Sequence, residues 1–425
     1  MPPKRTVLES GASVVSESMS GVESVSFGLY FPTGSRHETE LDNGVSHFIE
    51  HLVFKGTPSR SADEINREID LLGGASNAYT SKETICLHGR VLAENLGRLI
   101  ALFGDLATEA LPSGVEEEVE RERRVILSEI RAVEDSPEDL VGQLSDNVFF
   151  GDHPLAMPIA GSAPAVGRLG LGEIRDHYRS HLVASGMVVA AAGKLDHEEL
   201  VGLVSRHLGR IPAGQAPSSA RPPSPQRASK VVERDLEQVQ VTLSAPGVSG
   251  RDPRWAAAEL FSTIVGDGYS SRLFREVRDR RGLVYSIFSS LTSYTDTGRF
   301  DVSFGVAPQK LEETLDVVSH ELAEVRDGRI SRSELDSARQ HLRASILLGH
   351  ESTGARMSYL AEQQLYGEEN LELERDLEEL ERVTLEDVCA LAESTLEAPL
   401  SLATVGPVAP ERLPSGGWPL PRKGA

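Results

Sequence analysis

One pentapeptide, His47-Phe48-Ile49-Glu50-His51, constrains this chain more than any other stretch. It lies within Gly44-Val45-Ser46-His47-Phe48-Ile49-Glu50-His51-Leu52, where Val45, Phe48, Ile49 and Leu52 recur at helical spacing. At 3.6 residues per turn His47 and His51 fall one turn apart on one face, so both imidazoles can reach a single ion while the apolar residues pack beneath. Glu50 shares that face; a glutamate beside the ion but not bound to it can take a proton from water whose pKa the ion lowers. Without an ion, the same pattern describes two helix-surface histidines with a glutamate between them. Two imidazoles leave a zinc site short of three protein ligands, so a further ligand has to come from another part of the chain.

A second helix offers that ligand. Ser113-Gly114-Val115-Glu116 has the form of a capping box, and the stripe behind it is Val115, Val119, Glu122, Ile126, Glu129, Ile130 and Val133. Glu122 and Glu129, two turns apart, interrupt an apolar face, and acidic residues are rarely buried without a partner. They are either site residues or partners of Arg123, Arg124 or Arg131 on a solvated face.

The remaining composition narrows the classes. At 425 residues the chain suits two or three domains and can bury a large core. Its 43 basic and 65 acidic residues leave a net charge of −22, which argues against binding nucleic acid or an anionic membrane and favours basic peptides. The two cysteines, Cys86 and Cys389, supply no disulfide framework and suit a reducing compartment. Cys86 falls in an alternating strand and reads as a small core residue. Met1 to Leu8 lacks the apolar run of a signal peptide, and no stretch approaches the roughly 18 apolar residues of a membrane span. A soluble, cytoplasmic protein is the expectation.

Along the chain, Val25, Phe27, Leu29 and Phe31 alternate as a strand up to Pro32. Ser61-Ala62-Asp63-Glu64 is a second capping box, opening a helix with Ile65, Ile69 and Leu72 inside. Residues 75–91 read as a hairpin turning at Lys82-Glu83; its first arm holds Asn77, Ala78, Tyr79 and Thr80, either plain strand residues or an edge that accepts an extended peptide. His153, His177, His181, His197 and His207 are read as structural, surface or satisfied core groups without ligand spacing. Prolines 212, 217, 222, 223 and 225 mark residues 212–230 as a linker. Beyond it the order recurs: Val239, Val241 and Leu243 run into Pro246-Gly247, and a helix near Trp255 to Val265 takes the place of the histidine helix but holds no histidine. Strands at Val284 to Ser290 and Phe300 to Val306 follow, and Leu400 to Val405 closes the order. The fold class is α+β, a duplicated unit with a metal-ligand helix only in the first copy: residues 1–211, the linker 212–230, and residues 231–425.

Three segments, 47–57, 77–81 and 120–129, resemble the pitrilysin/insulinase family of zinc metallopeptidases, the inverzincins, in their mitochondrial-processing-peptidase-like bacterial branch. The resemblance implies two α/β-roll halves of mostly antiparallel sheet covered by helices, closing as a clamshell. It implies one Zn2+ per chain held by His47, His51 and Glu129, with Glu50 as general base and Glu122 supporting the site. It places Asn77, Ala78, Tyr79 and Thr80 against the substrate. The segments 270–278 and 282–286 match the family stretch whose arginine and tyrosine, here Arg278 and Tyr285, contact substrate, Tyr285 as a donor to the oxyanion. The implied activity is endopeptidase cleavage of short or unfolded peptides by a homodimer. The family's members without chemistry supply the alternative, a peptide-binding or scaffold subunit.

Overall fold

In the computed structural model, which describes residues 2–112, 114–217 and 221–422, two units form, each around one sheet. The first comprises residues 1–131, 157–221 and 348–372; the second comprises 132–156, 222–347 and 373–425. The units are therefore not the linear stretches 1–211 and 231–425. Each takes in one segment from the other side of the linker, and the reason lies in the sheets.

The first unit holds β1 (Lys4–Val7), β2 (Ser13–Ser18), β3 (Ser24–Phe31), a small pair β4 (Gly56–Thr57) and β5 (Arg60–Ser61), then β6 (Ala75–Thr80), β7 (Ile85–Leu92) and β8 (Val188–Gly193). Its main sheet has the order β1-β2-β8-β3-β7-β6, parallel only between β2 and β8. Val25, Phe27, Leu29 and Phe31 all face one core, together with the Val45–Leu52, Leu96–Glu109 and Leu171–His181 helices. Leu171–His181 packs on Val45–Leu52, and its His177 Nε2 lies 3.3 Å from Ser46 Oγ.

The opposite face of β3 and β8 is lined by small residues. Gly28 pairs with Ala190 and Ser26 with Ala192. A Cβ on Gly28 would come within 2.6 Å of the Tyr30 ring and 3.3 Å of Met357 Sδ, so a helix can approach closely only because that side chain is absent. The Thr353–Leu365 helix fills this face: Thr353 Oγ1 meets Ser26 Oγ at 2.9 Å, and buried Arg356 forks onto Glu17 of β2, Nε to Oε2 3.0 Å.

In the second unit β9 (Ser229–Glu233), β10 (Val239–Pro246), β11 (Val284–Ser293), β12 (Gly298–Val306) and β13 (Ser401–Gly406) take the order β11-β12-β10-β13-β9, parallel only between β13 and β9. This repeats the first sheet from β6 through β2, strand for strand and sense for sense, so the duplicated order in the sequence is a duplicated topology. The core face again carries helices, among them Trp255–Gly266, Leu311–Arg326 and Leu385–Thr395. The other face is covered by the Pro137–Phe150 helix, whose Val141, Leu144 and Val148 pack on Ala403 and Val405. Beside them, buried Arg299 reaches Asp146 at 2.7 Å and Asp301 at 2.8 Å, with its guanidinium 5.9 Å and 5.7 Å from the Phe149 and Phe150 ring centres. Burial opposes its charge, and the two carboxylates overcome that and hold it protonated.

Predicted local signals hold in detail. Ser61 caps the Ala62–Leu71 helix and Glu64 Oε2 accepts the Ser61 N–H at 2.8 Å. Ser113 of the other capping box lies outside the described residues. Lys82 and Glu83 turn the hairpin as expected, and both are held: Lys82 is buried with its ammonium on Met157 O, and Glu83 pairs with buried Arg36.

Two stability predictions follow from buried charge. Arg299→Met leaves buried Asp301 and half-buried Asp146 without that cation, and a denaturant titration should show a loss of about 3–5 kcal/mol; a change below about 1 kcal/mol would mean that water already reaches the pair. Burial, reinforced by neighbouring positive groups, lowers His177 to about 3 and His37 to about 4. The unfolded chain takes up protons near pH 6.5 that the folded one refuses. Stability is therefore full above about pH 6.5 and declines toward pH 4. In chelator the urea midpoint should fall between pH 7 and 5, and His177→Gln should flatten that slope; an unchanged slope in the variant contradicts the assignment.

Candidate metal centre

The Val45–Leu52 helix is fixed at both ends of its charge problem. Gly44 precedes it at φ 97°, and a Cβ there would sit 2.8 Å from Ala160 O, so glycine is required both for the turn and for the close strand of backbone beside it. The unsatisfied N–H groups of the first turn meet Glu38. Its carboxylate accepts from Gly44 N at 2.7 Å, Ser46 N at 2.8 Å and Asn43 Nδ2 at 3.0 Å, entirely buried from solvent but for a few per cent. Burial pushes the Glu38 carboxyl up while those donors pull it down. Sequence reading missed Glu38, because a cap so far upstream of its helix has no spacing signature.

Val45, Phe48, Ile49 and Leu52 face the core, and His47 and His51 face outward with ring centres 4.7 Å apart and planes at 72°. The Glu116–Asp135 helix brings its two glutamates to these rings. Glu122 is buried; its Oε2 lies 3.0 Å from His51 Nδ1 and its Oε1 2.8 Å from Lys55 Nζ. Burial raises the Glu122 carboxyl, but the hydrogen bonds from Lys55 and His51 outweigh it and hold the group below the usual carboxylate range. An ionised Glu122 accepts from His51 Nδ1–H, which leaves the lone pair on Nε2. Of the two readings open for the glutamates, an arginine pairing fails for Glu122. Arg123 instead pairs with Glu120, stacks over Phe48 at 5.4 Å and donates to Leu169 O.

Glu129 lies where that lone pair points. Its Oε2 is 3.4 Å from His51 Nε2 and 3.8 Å from His47 Nε2. Among the described residues His47, His51 and Glu129 are the one group of this kind whose ligand atoms all lie within 4.8 Å of one another. Donors bound to one tetrahedral zinc at about 2.0–2.1 Å stand about 3.3 Å apart, so the donor set and its spacing fit that ion. Burial, then the neighbouring His51, lowers His47 to about 4, which keeps its lone pair free at neutral pH. His47 Nδ1 is buried with no hydrogen-bond partner among the described residues, a cost of about 1–3 kcal/mol that packing alone does not recover.

Burial raises the Glu50 carboxyl against the pull of the neighbouring Thr80 N–H, while the Thr80 hydroxyl donates to Ser46 O at 3.4 Å. Thr80 ends β6, the free edge of the sheet. Ser81 N–H bonds Thr84 O at 2.8 Å across the turn, so the antiparallel ladder turns the odd residues of β6 toward β7 and leaves Ser76, Ala78 and Thr80 facing outward. Of these, the Thr80 N–H is taken by Glu50, and the Ala78 N–H by its neighbour Asn77 Oδ1 at 2.9 Å. The four residues expected at the substrate thus divide: Thr80 serves Glu50, while Asn77, Ala78 and Tyr79 line an open edge.

Arg278 and Tyr285 belong to the second unit, where they meet each other. Arg278 lies in the π-helical turn Phe274–Asp279, its guanidinium 4.5 Å from the Phe274 ring centre and 5.4 Å from that of Tyr285. Tyr285 is 82% exposed and sits in a β-bulge of edge strand β11, since Val284 and Ile287 oppose Val306 and Phe304. The bulge turns two successive residues, Tyr285 and Ser286, to solvent. His177 and His181 do share a one-turn spacing, contrary to expectation, but their rings stack at 3.7 Å and 4°. His197 is a satisfied core group, held by Ser16 Oγ at 2.8 Å and Thr6 Oγ1 at 2.9 Å.

With this geometry in place, comparison with known proteins is specific. Residues 13–163 match the family model described as insulinase, peptidase family M16, and residues 168–342 match the model of the peptidase M16 inactive domain. An uncharacterized zinc protease of Streptomyces coelicolor is 37% identical over 414 residues, covering 95% of this chain and 90% of its own. Among solved structures, a peptidase M16 inactive domain from Pseudomonas fluorescens shares the fold at a TM-score of 0.90, with 21% identity, 99% of this chain and 100% of its own. A protease from Helicobacter pylori matches at 0.86, with 22% identity, 96% of this chain and 100% of its own. The chain belongs to the insulinase family, peptidase family M16.

Proposed function

We propose that this protein is a zinc-dependent endopeptidase acting on short or unfolded peptides, with His47, His51 and Glu129 as the ligands of one Zn2+ per chain. The observation that carries this is the convergence of three donor atoms from two helices on one point, with a fourth residue, Glu122, fixing the tautomer of one of them. Relatives named as zinc proteases support the choice of metal. When bound, zinc supplies Lewis-acid polarisation that lets water lose a proton near neutral pH.

The chain's own groups do the rest. Glu50 takes a proton from the attacking water as the new carbon–oxygen bond forms, and returns it to the amine nitrogen as the carbon–nitrogen bond breaks. Thr80 aims the carboxylate, and the burial that raises its pKa suits a group that must accept and then release a proton. The outward backbone of Ser76 and Ala78 pairs an extended peptide, with Asn77 Oδ1 giving way to the peptide carbonyl at the Ala78 N–H. Arg278 and Tyr285 contact the substrate, Tyr285 as donor to the oxyanion; their family match and the exposure of Tyr285 support this. A homodimer in the cytoplasm completes the reading, and among the described residues no helix is long and apolar enough to cross a membrane.

Glu50→Gln tests the base. Metal analysis should still find about one zinc per chain, the stoichiometry of a single structural or catalytic site, while cleavage of an unstructured peptide should fall by at least about a thousandfold. Cleavage at the wild-type rate removes Glu50 from the role, and absence of zinc from wild-type protein purified without chelator favours the scaffold alternative. Glu122→Gln keeps the shape but loses the charge that orders His51 and Lys55, so competition with a chelator should reveal zinc affinity lower by about 10–100-fold. Unchanged affinity would mean that His51 holds its orientation without help.

A further inference from the structure

One loop serves two parts of the candidate site. Thr33, Ser35, Arg36 and Glu38 lie between β3 and the Val45–Leu52 helix, and all four are buried although none is apolar. Polar groups are kept from water at small cost only where they have partners to hold. Glu38 accounts for one end of the loop, since it takes the N–H groups of Gly44 and Ser46 at the start of the histidine helix.

The other end holds the tip of the hairpin formed by β6 and β7. Ser35 N–H donates to Ser81 O at 3.2 Å and Arg36 N–H to Lys82 O at 2.8 Å, so two successive donors of the loop meet two successive carbonyls of the turn. Arg36 Nη1 pairs with Glu83, the next residue of that turn. Gly34 permits the approach: a Cβ there would overlap Ser81 O and stand 2.8 Å from Lys82 O. His37 closes the loop on itself, its N–H donating to Gly34 O at 2.9 Å and its Nδ1 accepting from Gly34 N–H at 3.2 Å.

The consequence lies one residue before the turn. Thr80 ends β6, and its hydroxyl donates to Ser46 O of the histidine helix at 3.4 Å. A bond of that length is weak by itself. The tip of a hairpin is ordinarily among the looser parts of a sheet, and β6 has a neighbouring strand on one side only. The stronger hold is on Ser81, Lys82 and Glu83, and it comes from the loop whose Glu38 also fixes the histidine helix. Residues 34–38 therefore set where the β6 edge stands against Glu50.

We propose that Arg36 and Glu83 are positioning residues for hydrolysis: their ion pair, with the two backbone bonds beside it, locks the β6 edge in register with the Val45–Leu52 helix. The proposal rests on the reading of Glu50 as base and of β6 as the peptide-binding edge. A carbonyl carried on β6 is open to attack only while that edge stays in place, and a misplacement on the order of 1 Å costs about a hundredfold in rate. Binding is affected less, because the outward backbone of Ser76 and Ala78 can pair a peptide wherever the edge sits.

The test measures steady-state cleavage of one unstructured peptide, and zinc affinity by chelator competition, in wild type, Glu83→Ala, Glu83→Gln and Arg36→Lys. Glu83→Ala should lose about ten- to a hundredfold in kcat while KM moves less than about threefold and zinc affinity stays at the wild-type value. Glu83→Gln leaves an oxygen for the guanidinium and should recover most of the rate; Arg36→Lys keeps the charge without the planar fork and should fall between the two. An unchanged kcat in Glu83→Ala overturns the proposal, and so does a loss matched by zinc affinity, the sign of general loosening. Should Glu83→Ala not fold, Arg36→Lys against wild type decides by the same two criteria. Hydrogen exchange read by mass spectrometry needs no turnover and separates this from the peptidase reading. In Glu83→Ala the amides of residues 75–84 should exchange at least about tenfold faster than in wild type, while those of 45–52 keep their protection. If wild type cleaves nothing, the peptidase reading fails; the anchoring of the edge then stands on that contrast, and falls if both segments change alike or neither changes.

Discussion

The hydrogen bond between His51 Nδ1 and Glu122 Oε2, 3.0 Å long, joins residues 71 apart in sequence, and the candidate site depends on it. A buried carboxylate costs several kcal/mol unless its charge is answered, and here two answers come from one short stretch, His51 and Lys55. The Glu116–Asp135 helix therefore cannot slide along the Val45–Leu52 helix without stranding that charge. Its register in turn fixes where Glu129, two turns on, meets the imidazoles. One interaction sets the tautomer of His51 and the position of Glu129.

The same economy appears at the far side of the histidine helix. Glu38 supplies three acceptor contacts to its first turn, and Leu171–His181 leans on it through His177. The helix is only Val45–Leu52, far shorter than an isolated helix needs to persist in water. Its shape is imposed by Glu38, Gly44 and the core beneath, which is why its two imidazoles can be held in an arrangement that leaves His47 Nδ1 unpaired. Stability is drawn from the surroundings and given up at the ring.

Local chemistry was legible from residues alone: the pentapeptide, the Ser61 and Glu64 capping box, the hairpin with β6, and the recurrence of one strand order after the linker. These are signals of period and spacing, and backbone geometry obeys them. What periodicity does not carry is the partner of an apolar face. Nothing in the residue pattern of Pro137–Phe150 or Thr353–Leu365 says that each covers a sheet whose strands come mostly from the other side of the linker. The determinant sits on the receiving sheets instead, in Gly28, Ser26, Ala190 and Ala192 on one and in Arg299 and Asp301 on the other. Small residues admit a helix, and a buried arginine demands one that brings an acid. Glu38 escaped notice for a related reason, since a carboxylate held by a loop can cap a helix from any distance in sequence.

The histidines show how far spacing goes before geometry must decide. His47 and His51, and His177 and His181, are both pairs one turn apart on a helix, and spacing alone ranks them equally. In the second pair the rings lie flat against each other, 3.7 Å apart and within 4° of parallel, so their in-plane lone pairs run side by side and cannot converge. His177 is also buried and spent on Ser46, and His181 Nδ1 lies 3.1 Å from His177 O. In the first pair the planes stand at 72°, one ring is turned by Glu122, and the Nε2 atoms of both approach the same oxygen of Glu129. Convergence requires that the rings not stack, and a carboxylate from another helix is what keeps them apart. A candidate ligand pair is therefore marked less by its own two residues than by the acid that holds one of them in place.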